Sequence, residues 1–210
     1  AKKEEAPASD TESTTNASSV GRTCASSVRV KIAELVPWGE IALGNKILPH
    51  CNTAFCVADV FLLSAFLEMA GLQDCSGGCV KLLLRTLKFL RLCDYSAEDM
   101  CSILAHSCEY VKDVLEVCGG RMDDREVGNV VVCLTFMAHS WIQDETCPLR
   151  VWHRHIFRDY CSIGTLNLAV VRLFELRRYR MRLPSQCIAE NMRQLLGAIP
   201  WPSSMLQPSA

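Results

Sequence analysis

Cysteine and histidine are the residues whose abundance invites chemistry, with thirteen cysteines and five histidines in 210 residues. Thiols and imidazoles at close spacing hold zinc, and a Cys–His pair can serve as a nucleophile with its base. Neither pattern is completed. Cys51 and Cys56, then Cys75 and Cys79, lack the repeated two-residue spacing of a zinc site, and the histidines do not supply the missing ligands. His153 and His155 flank Arg154, and two residues apart on a helix they point in different directions. Cys161 with a distant histidine is a conceivable nucleophile pair, set against the default reading of a structural thiol. No glycine-rich phosphate loop, nucleophile elbow or metalloprotease signature occurs. The expectation is therefore a protein that is not an enzyme, with no catalytic residue, metal, cofactor or small-molecule substrate.

The odd number of cysteines, most of them placed as small hydrophobes in apolar periodic segments, predicts reduced thiols and a cytoplasmic or nuclear protein. Asn16-Ala17-Ser18 matches a glycosylation sequon, read as chance in such a protein. Ala1-Lys2-Lys3-Glu4-Glu5 and the Ser/Thr residues after it contain no signal-peptide core. Charges nearly cancel, 22 basic against 23 acidic, so no global field favours nucleic acid or an anionic membrane. With 50% hydrophobic residues the chain can bury one sizeable core.

The element that must organise that core is the run from Val130 to Trp141, apolar almost without interruption and preceded by Asp123-Asp124-Arg125-Glu126. A helix apolar all round has to be covered on most sides, and this one is shorter than the roughly 20 residues that span a bilayer. Asp123 and Glu126 have capping-box spacing, and Pro148 lies beyond the end. A fully buried strand is the alternative left open by the three valines.

Around it, helical periodicity predicts helices over 53–69, 80–92, 97–117, 149–157 and 162–178, with one more short helix within 185–197. Ser96 and Asp99 form a second capping-box pattern, and Gly119-Gly120 ends the helix it starts. Lys81, Arg85, Lys88 and Arg91 read as a solvated basic stripe that could alternatively meet phosphate. Arg177, Arg178, Arg180 and Arg182 read as cations favoured by a helix C-terminus, with Pro184 as the stop. Residues 1–27 are expected to be a disordered tail, 28–52 a connector, 53–183 the folded domain, and 184–210 a C-terminal extension in which Trp201 stands between prolines.

The wording of three segments is more specific than their periodicity. Phe89-Leu90-Arg91-Leu92-Cys93-Asp94-Tyr95-Ser96, with the Ala-rich stretch from Cys101 to Leu115, resembles the "YLxRLxKY…VLLxAxxYIDRL" passage of the phosphate-pathway (P-type) cyclins. Phe136-Met137-Ala138-His139-Ser140-Trp141-Ile142-Gln143-Asp144-Glu145-Thr146 resembles their "LxASKFLxDExY", and Trp152 falls near an aromatic of that family. Leu166-Asn167, Leu173-Phe174 and Tyr179-Arg180 resemble "ELNxLExEFLxxLxYRL". The resemblance covers residues 55 to 183 and implies an all-α fold: a single cyclin-box helical domain with an extra N-terminal helix and flexible termini.

What the resemblance implies is an activating regulatory subunit that binds a cyclin-dependent protein kinase through the third and fifth helices of the box and holds the kinase C-helix inward. It assigns partner contact to Leu134, Met137, Ser140, Trp141, Asp144, Glu145, Val170 and Phe174. The family's usual lysine falls on Ser140 and its usual glutamate on Val170. Loss of that charged pair motivates the alternative, a cyclin-fold adaptor that binds protein or nucleic acid without activating a kinase, with Arg177, Arg178, Arg180 and Arg182 as its basic patch. His153 to Cys161 is about three residues longer than the family pattern, which predicts an altered entry to the fifth helix.

Overall fold

The computed structural model describes residues 56–119 and 124–200, and every regular element among them is helical. In chain order these are α1 (Val57–Met69), α2 (Gly77–Leu92), α3 (Ala97–Val117), α4 (Asp124–Ile142), α5 (Leu149–Trp152), α6 (Ile163–Leu176) and α7 (Ser185–Ala198). A π-helical turn, His153–Phe157, continues α5. The expected tail and connector, Asp123 with its half of a capping box, and Trp201 lie outside the described residues.

The run at 130–141 is helical, and its burial matches its composition. Val131, Val132, Cys133, Leu134, Thr135, Met137, Ala138 and His139 are all buried. Covering helices α2 and α3 flank α4, and the Gly128 hydrogen is what lets α2 approach: a Cβ there would lie 3.2 Å from the Cys79 Cα. On the α3 side the Ser107 and Thr135 hydroxyls meet at 2.9 Å, and Thr135 also donates to the Val131 carbonyl at 2.8 Å, so neither buried hydroxyl is left unpaired.

Local chemistry sets the helix starts. Ser96 accepts from the Asp99 backbone N–H at 3.1 Å while Asp99 accepts from the Ser96 N–H at 3.0 Å, a complete capping box at the head of α3. Ser162 caps α6 by accepting from the Thr165 N–H. Gly119, at φ 63, closes α3 in the left-handed region that glycine adopts without strain.

Two basic clusters differ from their sequence reading. Arg91 leaves the solvated stripe: its Nε donates to Asp59 Oδ1 at 2.6 Å, and Asp59 is fully buried in the first turn of α1. Arg177 is buried rather than displayed at a helix end, with its Nη2 2.9 Å from Asp113 Oδ2 and its guanidinium carbon 3.5 Å from the Tyr110 ring centroid. α6 consequently ends at Leu176, before the arginine run, and Arg178 and Tyr179 turn the chain at φ 51 and 58. Pro184 stands at the head of α7 instead of ending α6. Helix α7 is a full core element, since Asn191 donates to the Ala105 carbonyl and to Glu109 on α3, and Leu195 is buried.

Candidate partner-binding site

The site is built at the exit of α4 and along the outer side of α6. Trp152 anchors the first half: it is fully buried, with Phe89 of α2 edge-on at 5.1 Å, Phe136 of α4 at 5.5 Å and His139 at 5.4 Å. That aromatic cluster fixes the last turns of α4 against α2 and α5.

Tyr95 fixes the loop that follows. Its hydroxyl donates to the Glu145 carbonyl at 2.7 Å and also lies 2.7 Å from His139 Nε2. The single hydroxyl proton is spent on Glu145, so His139 Nε2 carries the proton and donates to the tyrosine oxygen. The neutral tautomer this sets leaves His139 Nδ1 buried without a partner. Desolvation of the imidazole pushes its pKa down to about 4.

Of the residues that the sequence assigns to partner contact, the structure separates two groups. Ser140, Asp144 and Glu145 are exposed, and Trp141 is 52% exposed at the end of α4. Leu134 and Met137 are fully buried, and Val170 is 5% exposed. Within this chain these three pack toward the core; for Leu134 and Met137, a helix apolar on every side gives no sequence sign of which residues its neighbours α2, α3 and α6 will cover. Phe174 is half-buried and stacks on Tyr179 with ring centroids 6.3 Å apart.

Sequence reasoning passed over the outer face of α6. Leu166, Val170 and Leu173 face the core, whereas Ile163, Leu168 and Val171 are 43%, 70% and 42% exposed. Residues three and four apart share a helix face, so Leu168 and Val171 sit together one turn on from Gly164 and Asn167, whereas Ile163, five residues before Leu168, lies toward the side of Leu166 and Val170 at the exposed start of the helix. The start of this face adjoins the segment leaving α4: Pro148, Leu149 and Arg150 line a groove of about 580 Å³ with Ile163, Gly164 and Asn167. The signal was present, since a helix with apolar residues on both sides announces a second covering surface.

The residues first singled out for chemistry are placed otherwise. His153 Nε2 lies 2.7 Å from the Cys161 carbonyl oxygen rather than engaging its sulfur, and His155 stacks on Phe89. Among the described residues no group of three His, Cys, Asp or Glu side chains is arranged to hold a metal ion, and no helix is long and apolar enough to cross a membrane. Comparison with protein-family models, with curated proteins and with solved structures finds no match.

Proposed function

We propose that this chain is a cyclin-like regulatory subunit that binds a cyclin-dependent protein kinase and stabilises the inward, active position of the kinase C-helix. The observation that carries the reading is the uncovered apolar pair Leu168 and Val171 on the outer face of α6, together with the exposed Trp141 at the end of α4. These are the two helices to which the sequence resemblance assigns the kinase. Exposed apolar surface gathered on one helix face, beside a polar rim, suits a protein partner better than solvent.

The mechanism is a population shift. A subunit that binds the inward C-helix more tightly than the outward one raises the active fraction by its differential affinity. Trp141 and the α6 face supply the apolar contact. Asp144 and Glu145, exposed on a loop that Tyr95 pins, offer carboxylates to the arginines that otherwise hold an activation-loop phosphate. Leu134, Met137 and Val170 act from beneath by fixing the helices that present this surface. Recovery of a kinase catalytic subunit in one-to-one amount with the tagged chain, active only in that complex, tests the reading; a chain recovered without a kinase contradicts it.

One observation favours the adaptor alternative. Ser140 is a short neutral side chain and Val170 is buried, so neither offers the charge that clasps a kinase in the family pattern. Its nucleic-acid form is weakened by Arg177, which is taken up by Asp113 and Tyr110 and leaves only Arg178, Arg180 and Arg182 exposed in that cluster.

A further inference from the structure

Cys93 ends α2 and Cys147 lies in the loop after α4; they are 54 residues apart in sequence, yet their sulfurs are 3.1 Å apart. A disulfide requires about 2.05 Å between sulfurs, so closure asks for movement of about 1 Å, within reach of side-chain rotation and a small loop shift. Both thiols are partly exposed, whereas Cys56, Cys75, Cys79, Cys101, Cys108 and Cys133 are buried. An oxidant can therefore reach this pair from solvent. We infer that Cys93 and Cys147 form a reversible disulfide, a covalent modification site that fastens the end of α2 to the loop carrying Asp144 and Glu145.

The oxidant is a low-molecular-weight disulfide such as oxidised glutathione. The thiolate of one of the two cysteines attacks one glutathione sulfur, the glutathione S–S bond breaks, and one glutathione thiolate leaves. The other cysteine then gives its proton to water and attacks the protein sulfur of the mixed disulfide, expelling the second glutathione as its thiolate. Two protein thiols are oxidised and one glutathione disulfide is reduced to two thiols. Burial and the neighbouring Cys147 push the Cys93 pKa up, so the pair stays protonated until an oxidant captures one thiolate. The loop is already positioned for this by Tyr95, two residues beyond Cys93, which holds the Glu145 carbonyl two residues before Cys147.

The test is peptide mass mapping of the folded full chain after incubation with oxidised glutathione and alkylation of the remaining thiols. The expected result is a linked peptide joining Cys93 to Cys147, lighter by two hydrogens than the separate peptides, with the loss of two alkylated sites and reversal by dithiothreitol. In Cys93→Ser and in Cys147→Ser the linked peptide is expected to disappear, the remaining cysteine carrying glutathione or staying alkylatable. The inference is overturned if both thiols stay free in the native chain while exposed Cys187 is modified, or if the link forms only after unfolding in urea. Neither outcome depends on whether a kinase binds.

Discussion

Arg177 sits over the Tyr110 ring, its guanidinium carbon 3.5 Å from the ring centroid, and the pair joins the end of α6 to α3. The Tyr110 hydroxyl donates to the Met181 carbonyl at 2.8 Å, so the connector leading to α7 is held at the same point. Arg177→Leu is expected to lower stability by about 2–3 kcal/mol through loss of a desolvated cation–π contact and its ion pair. Arg177→Lys should recover only part of this, because an ammonium cannot stack and bridge at once. Urea denaturation of both variants checks the ordering.

Asp59 and Arg91 make the second buried link, between α1 and α2. Asp59 is inaccessible to solvent while the Arg91 side chain is 23% exposed, so removing the arginine strands a carboxylate in the core. Arg91→Met should cost about 3–5 kcal/mol, and the double variant Asp59→Leu/Arg91→Met should be more stable than Arg91→Met alone. A midpoint for the double variant below that of the single would mean that the carboxylate has another partner.

Acid should act through His139. The folded chain resists its protonation down to about pH 4, whereas an unfolded histidine takes up a proton near pH 6.5. Stability from this site is complete above pH 6.5 and falls as pH drops toward 4, a loss of about 3 kcal/mol at full extent. In His139→Gln that part of the pH dependence should vanish. Chemical denaturation at a series of pH values measures the difference.

Gly128 tests the central packing. Gly128→Val places a branched side chain where even a Cβ would be 3.2 Å from the Cys79 backbone and 3.4 Å from Leu82, so α2 and α4 must part. The expected cost is about 1–3 kcal/mol despite the loss of a flexible glycine from a helix. Thermal melts of the variant read it directly.

Much of this architecture was legible because periodicity and caps are local. Ser96 with Asp99 announced its helix within four residues, and Val130 to Trp141 announced a covered one. The pairs that tie helices together were not legible. Arg91 reads as one more cation on a basic stripe until Asp59, 32 residues earlier, is brought beneath it. Arg177 reads as a helix-end charge for the same reason. Of the residues assigned to partner contact, Ser140 and Trp141 are exposed in the last turn of α4 and Asp144 and Glu145 in the loop beyond it, while Leu134 and Met137 could not be distinguished from surface positions on a segment without a polar side. The α6 face at Leu168 was overlooked because its inward partner Leu166 already satisfied the expected pattern.

The central claim, that the outer face of α6 with Trp141 seats a kinase, is tested most directly by calorimetric titration of the purified chain and Leu168→Asp against a cyclin-dependent kinase catalytic subunit that co-purifies with it. Leu168 is 70% exposed, so the charge leaves the fold intact, and matched circular dichroism melts establish this. The account predicts that Leu168→Asp weakens binding by about 10- to 100-fold. An unchanged dissociation constant in a folded variant would contradict it.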